Sequence, residues 1–311
     1  MTEIKTPDGT AISSLCFGCM QFGDKAGEAA SREMYRACRE AGINFFDTAH
    51  AYTDGTSENW LGRFAAEERD AVVIASKAAF KTGSGRTALR ESLDTSRKRL
   101  DQDVIDIYYL HRWDDETPLE ETFETLAEMQ RDGAIRHIGV SNFAAWQVMK
   151  AQAVAARFDT RIDILQPMYN LVKRQAEVEI LPMAMAEGIA VVPYSPLGGG
   201  LLTGKYRAGG QGRITENEMY SARYAQEWMH NAAADLAALG RQMRVDPATL
   251  AVAWAARHRG VTAPIISARD VEQLRPSLDA ISFGMDDELY ERITALTPTP
   301  PPATDRLEEA Q

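Results

Sequence analysis

Along this chain, short continuous apolar runs alternate with longer stretches in which apolar residues return every three or four positions. A short apolar run between turn formers marks a strand buried on both faces, and the longer spacing marks a helix with one buried stripe. Residues 3–13 read as a hairpin turning at Pro7-Asp8-Gly9. Strands are then predicted at residues 14–19, 43–46, 72–76, 105–110, 135–140, 162–165, 189–192 and 264–266. Between them fall helical stripes such as Met34, Tyr35, Cys38; Trp60, Leu61, Phe64; Leu89, Leu93, Leu100; and Phe123, Leu126, Met129. Gly42, Gly133 and Gly188 stop three of these helices, and Thr117-Pro118-Leu119-Glu120 reads as a capping box with proline at the first helical position. Further helices are predicted at residues 144–158, 177–187, 228–244 and 247–259, from residue 271, and around Leu289, Ile293 and Leu296.

Strand followed by helix, repeated, implies parallel pairing through right-handed crossovers. Eight such units predict a closed (β/α)8 TIM barrel with an N-terminal β-hairpin, one domain over residues 1–297. A doubly wound dinucleotide sheet would carry a G-x-G-x-x-G after its first strand, and none stands there. The connection after the seventh strand, residues 196–227, is long and rich in glycine and aromatic residues. Residues 298–311, with Pro300-Pro301-Pro302, read as a mobile tail.

Composition narrows the partners. With 311 residues, 45% of them hydrophobic and 25% charged, the chain is an ordinary globular one, and a single barrel fills that length. A net charge of −11 argues against nucleic acid or an anionic membrane surface, though not against an anionic cofactor held by a few local cations. No signal peptide and no apolar run of roughly 20 residues is present, so a cytoplasmic protein is expected, monomeric or a small homo-oligomer. Cys16 and Cys19 form a C-x-x-C with no second pair or nearby histidine, and with Cys38 they read as reduced thiols.

The candidate chemistry lies at the strand ends. The second strand runs into Asp47, with Tyr52 on the loop beyond it; the third ends in Lys77 and the fourth in His111. In a parallel barrel such residues meet at the C-terminal face. A phenol of pKa about 10 is a poor acid or base near neutrality, and a nearby ammonium favours its phenolate, while a carboxylate holds the ammonium. The histidine can donate a hydrogen bond to a carbonyl oxygen. The set suits protonation of an alkoxide as it forms, which is carbonyl reduction. No side chain supplies a hydride, so a nicotinamide or flavin is implied. A metal-dependent barrel hydrolase or isomerase would need several histidines and carboxylates at strand ends, whereas His111 and Asp47 alone qualify.

In order and spacing these four residues resemble the catalytic tetrad of the aldo-keto reductases, in particular the bacterial and potassium-channel-β-like branch. Ile138-Gly139-Val140-Ser141-Asn142-Phe143, Pro193-Tyr194-Ser195-Pro196-Leu197 and Ile266-Ser267-Ala268-Arg269-Asp270-Val271-Glu272-Gln273-Leu274 are also similar to motifs of that family, over about residues 10 to 296. The resemblance implies NADPH, with NADH also possible, lying across the C-terminal face, a small-molecule aldehyde or ketone as substrate, and no metal. It makes Tyr52 the proton donor, tuned by Lys77 and Asp47, and has His111 orient the carbonyl. Ser141, Asn142 and Gln166 correspond to residues that hold the nicotinamide carboxamide, Tyr194 to the ring stacked on it, and Met20 lies near it. Ser195, Leu197, Gly199 and Lys205 correspond to the loop over the pyrophosphate, and Ser267, Arg269 and Gln273 to the adenosine-phosphate end. Pro276-Ser277 stand where many members have Glu-Asn, which removes the usual asparagine contact to adenine. Trp113 and Tyr220 are candidate pocket walls, and Arg112 could attract an anionic substrate. The alternative within the same family is an NADPH-binding regulatory subunit with vestigial activity.

Overall fold

A computed structural model describes residues 3–306 and 308 of the chain, the side chain of residue 208 excepted. Its strands are β1 (Cys16–Gly18), β2 (Phe45–Asp47), β3 (Val73–Ala78), β4 (Ile105–Leu110), β5 (Ile135–Ser141), β6 (Ile164–Gln166), β7 (Ala190–Val191) and β8 (Ile265–Ile266). They form one parallel sheet in the order β7-β6-β5-β4-β3-β2-β1-β8. The sheet's two ends meet. Ile265 N–H donates to the Pro193 carbonyl at 2.8 Å and Tyr194 bridges Ile265 in parallel, so the sheet closes into the expected barrel.

The period of two along each strand decides what lies inside. Phe45 on β2, Val73 and Ala75 on β3, Ile107 and Tyr109 on β4, Ile164 on β6 and Ile265 on β8 belong to one buried interior cluster. Phe46, Ile74, Tyr108 and Leu165 alternate with them and pack against the surrounding helices. Burying each large apolar side chain contributes roughly 1.5–3 kcal/mol, which is why a barrel of such short strands holds. The N-terminal hairpin, with Lys5 paired to Ala11 and Gly9 at φ +92°, sends Ile4 and Ile12 against the lower end of that interior. Continued one step further, the same alternation turns Asp47 and Lys77 inward at the upper end.

The crossover helices are α1 (Glu28–Glu40), α2 (Thr56–Ala65), α3 (Arg86–Leu100), α4 (Leu119–Arg131), α5 (Ala145–Ala155) and α6 (Ile180–Ala186). The long connection folds into two 3-10 turns, Gly198–Thr203 and Lys205–Ala208, and the short helices α7 (Arg213–Glu216) and α8 (Glu218–Arg223). Then come α9 (Glu227–Met243), α10 (Pro247–Arg257), α11 (Val271–Asp279) and α12 (Asp287–Thr294).

Several boundaries differ from those the apolar pattern predicts. Most strands are shorter, because ladder bonds form only where staggered neighbours overlap; Leu15 is buried but unpaired, and Cys19 opens a 3-10 turn. β3 is longer, since Lys77 pairs with Tyr109 and Ala78 with Leu110, so Lys77 lies within the strand. Thr117 does not cap α4. Its hydroxyl donates instead to Asp114 Oδ2 at 2.6 Å, and Pro118 stands at the N-cap with helix from Leu119. Of the expected tail, residues 298–306 contain no helix or strand, and 307 and 309–311 lie outside the described residues.

Candidate active site

At the upper end of the barrel Lys77, 1% exposed, makes an ion pair with Asp47 Oδ1 and donates to the Thr48 carbonyl at 2.7 Å. Gln166 at the end of β6 donates from Nε2 to Asp47 Oδ2 at 2.8 Å, so both carboxylate oxygens are engaged. The Lys77 ammonium lies 5.0 Å from the centroid of the Tyr52 ring, whose other neighbour is His111, edge-on at 5.9 Å. The four residues expected to act together are therefore together.

Their protonation follows from burial and from each other. Burial works against the Lys77 ammonium, but Asp47 and Tyr52 more than offset it, and its pKa is raised. Burial likewise lifts the Asp47 carboxyl, opposed by Lys77 and Gln166. His111 is pushed down to about 3, by burial first and then by Lys77 and Arg112, so it is a neutral imidazole at physiological pH. Its Nδ1 is buried with no partner, which fits the tautomer carrying its proton on Nε2. Tyr52 corrects the sequence-based expectation that the ammonium favours phenolate. Burial outweighs the pull of Lys77, and the phenol's pKa is raised, leaving a protonated hydroxyl.

Tyr52 is held by an unusual turn. Thr53 and Asp54 have φ of 47° and 50°, and Gly55 follows at 93°. Left-handed backbone costs a non-glycine residue roughly 1–2 kcal/mol, so the turn needs anchors. Thr53 supplies one, its hydroxyl donating to the Phe22 carbonyl at 2.9 Å while accepting from Ser57 N–H at 3.1 Å.

Beside the tetrad stand the residues expected to hold a nicotinamide. Asn142, at φ 59°, donates from Nδ2 to the His111 carbonyl at 2.9 Å and to Ser141 Oγ at 3.1 Å, and accepts from Tyr194 OH at 2.8 Å. Ser141 donates to the Gln166 carbonyl at 2.9 Å. Met20 sits half-buried in the 3-10 turn after β1. Ser195 is left-handed at φ 61°, Leu197 is half-buried, and Gly198, Gly199 and Gly200 all have positive φ, which only glycine adopts without strain. Tyr220 closes over this cradle, so near that a Cβ on Gly199 would lie 2.9 Å from its ring. Lys205's pKa is lowered, by burial first and by the nearby Arg269 guanidinium next.

Glu216 and Lys25, which the sequence pattern did not single out, complete this face. Glu216 on α7 lies 3.7 Å from Arg269 and 3.7 Å from Lys25, joining the connection after β7 to the loops after β8 and β1. Asp270 caps α11 by accepting from Gln273 N–H at 2.8 Å, while the Gln273 side chain accepts from Arg269 N–H at 2.9 Å. The Ser267 hydroxyl is buried without a partner. Ser277 is buried and the Pro276 carbonyl accepts from the Thr249 hydroxyl at 2.7 Å.

A family profile described as the Aldo/keto reductase family matches residues 14–298. The chain belongs to that family. An uncharacterized oxidoreductase, YrpG, of Bacillus subtilis (strain 168) is 33% identical, with 94% of each chain covered. A probable voltage-gated potassium channel subunit beta of Oryza sativa subsp. japonica is 31% identical over 96% of each. Norsolorinic acid reductase stcV of Emericella nidulans is 33% identical over 91% of this chain and 78% of its own. This aldo/keto reductase is thus an oxidoreductase of a carbonyl-reducing class, from a family that binds NAD(P)H.

Around the mouth of the reductase site runs an aromatic wall. Phe80 lies 4.8 Å from His111, Trp113 lies 5.1 Å from Phe143 and 5.7 Å from Trp146, and Trp146 is 61% exposed. The Arg112 guanidinium lies 5.7 Å from the Phe80 ring. Cys16, Cys19 and Cys38 are buried free thiols whose pKa burial pushes up. Among the described residues no group of three or more His, Cys, Asp or Glu is placed to hold a metal ion, and no helix is long and apolar enough to cross a membrane.

The Asp47–Lys77 pair sets a direct test. Lys77→Met removes the ammonium and leaves Asp47 buried with Gln166 as its remaining side-chain partner. Breaking a buried pair from one side costs about 3–5 kcal/mol. The variant is expected to lose both that much stability in a denaturant titration and its carbonyl reduction. A variant that unfolds like the parent would mean that Lys77 is in contact with water.

Proposed function

We propose that this reductase converts an aldehyde or ketone to the alcohol with NADPH, and that Tyr52 is the proton donor. The observation that carries this reading is a protonated phenol set between a buried ammonium and a neutral imidazole. The nicotinamide supplies the hydride, which no side chain can. His111 donates a hydrogen bond to the carbonyl oxygen and polarises it. Tyr52 gives its proton to that oxygen as negative charge gathers there, and the Lys77 ammonium stabilises the phenolate left behind. Asp47 keeps Lys77 charged and Gln166 keeps Asp47 oriented.

The residues present fit the cofactor. Asn142 has both amide hydrogens engaged and Gln166 donates to Asp47, so each presents an oxygen lone pair, complementary to a carboxamide NH2. Tyr194 offers its ring face, and Ser195, Leu197, Gly199 and Lys205 a cradle for the pyrophosphate. The unpartnered Ser267 hydroxyl and the Arg269 guanidinium suit a phosphate monoester, with Gln273 fixing the Arg269 backbone. The wall of Phe80, Trp113, Phe143 and Trp146 supports a substrate with a flat ring portion. Similarity to a probable channel β subunit supports a second reading, an NADPH-binding regulatory subunit with vestigial activity.

Tyr52→Phe is expected to lower kcat for carbonyl reduction by roughly a hundredfold or more, the usual size of a general-acid contribution, with NADPH affinity little changed. Near-parental turnover by that variant on its best aldehyde would remove Tyr52 from the role.

Cofactor choice tests Arg269. A charge-assisted contact to a phosphate contributes roughly 1.5–3 kcal/mol, which here must exceed the competing attraction of Glu216. NADPH is therefore expected to bind at least about tenfold tighter than NADH at low salt. Arg269→Ala should erase most of the difference while leaving NADH affinity within about a few-fold. Titration of both cofactors against both proteins decides it: equal affinities in the parent, or a preference surviving in the variant, exclude Arg269 as the phosphate anchor.

A further inference from the structure

We infer that Arg99 and Glu58 form a clamp that holds the Tyr52 turn in its reactive position, an inference that rests on Tyr52 being the proton donor. Glu58 is a carboxylate on α2 with 0% exposure. It lies at i−3 and i−7 to the buried Leu61 and Ala65, where an apolar residue would fix the helix to the barrel equally well. Burying a charge there is unfavourable unless it is paired and hydrogen-bonded. Glu58 is both. Its Oε1 accepts from Ser76 Oγ at 2.6 Å, on the residue next to Lys77, and its Oε2 faces Arg99 Nη1 at 3.2 Å.

Arg99 reaches in from the last turn of α3 and touches the turn at both ends. Its Nη1 donates to the His50 carbonyl at 2.9 Å. Its guanidinium also lies against Gly55, so close that a Cβ there would be 2.3 Å from Nε. These two contacts bracket Tyr52 and the left-handed pair Thr53 and Asp54. His50 N–H meanwhile donates to the Lys77 carbonyl at 3.0 Å, so the residue whose carbonyl Arg99 grips is also tied to the strand carrying the ammonium. Arg99 therefore fixes the phenol relative to Lys77 without touching either. A planar guanidinium can meet a carboxylate, a carbonyl and a backbone face at once, which a point-like ammonium cannot. Arg99 and Glu58 are positioning residues, and their loss lets a disfavoured turn relax and carry the phenol away.

The test compares the parent, Arg99→Lys, Arg99→Ala and Tyr52→Phe. Arg99→Lys keeps a positive charge for Glu58 but loses the fork across His50 and Gly55. Its kcat for carbonyl reduction is expected to fall roughly ten- to a hundredfold, the penalty for displacing a reacting group by about an ångström, with cofactor affinity and melting temperature near parental. In Arg99→Ala, guanidinium chloride below denaturing concentration should restore kcat while sodium chloride at equal ionic strength does not. If Arg99→Ala does not fold, Arg99→Lys carries the test alone. Parental kcat in Arg99→Lys beside an inactive Tyr52→Phe would overturn the clamp and leave the proton donor standing. A folded Arg99→Ala that guanidinium fails to restore would also overturn it. An active Tyr52→Phe would remove the proton-donor reading, and the clamp with it.

Discussion

A lysine sealed inside a barrel needs a counter-charge within reach, and the pairing of Lys77 with Asp47 meets that need. Much of the upper face is arranged around this pair. β2 and β3 run parallel in a register that sets Asp47 opposite Ala75, two residues before Lys77. Gln166 crosses from β6 to take the second carboxylate oxygen, and the Thr48 carbonyl accepts a further ammonium hydrogen. The charge so held faces the Tyr52 ring and helps to keep His111 neutral. Below, the interior is apolar and closed by the hairpin; above, it is polar. The same two-residue alternation of the strands produces both halves.

Electrostatics is local in this molecule. A chain of net charge −11 repels anions as a whole, yet Lys25, Lys205, Arg213 and Arg269 gather around Glu216 and the glycine cradle. Glu216 bridges two of these cations from a short helix in the connection after β7. The bridge is long and partly exposed, so its contribution to stability is small. It nevertheless ties three loops together over the face where the glycine cradle lies.

Much of this was legible in the sequence, for a physical reason in each case. Strands buried on both faces are apolar throughout, so the eight-fold alternation and the strand-end positions of Asp47, Lys77 and His111 stood out. What escaped depends on contacts and burial that the apolar pattern does not carry. Thr117 looked like a cap until Asp114, three residues earlier, took its hydroxyl. The Tyr52 phenol looked tuned towards phenolate because the ammonium was visible in the sequence and the depth of burial was not. Glu216 and Lys25 are single charges in polar loops, and nothing local marks them. Glu58 did leave a trace, a carboxylate on the buried stripe of α2, but its partner Arg99 lies 41 residues away on another helix.

The chemistry of this site depends on a phenol that stays protonated beside a histidine that stays neutral. The most direct test is the single-turnover rate of carbonyl reduction against pH. With His111 titrating at about 3 and Tyr52 above its ordinary value of about 10, no ionisation of either group should appear between about pH 5 and 9, and the rate should fall only in the alkaline range as Tyr52 loses its proton. A step near pH 6.5, the ordinary histidine value, or a descending limb between about pH 7 and 8, would contradict it.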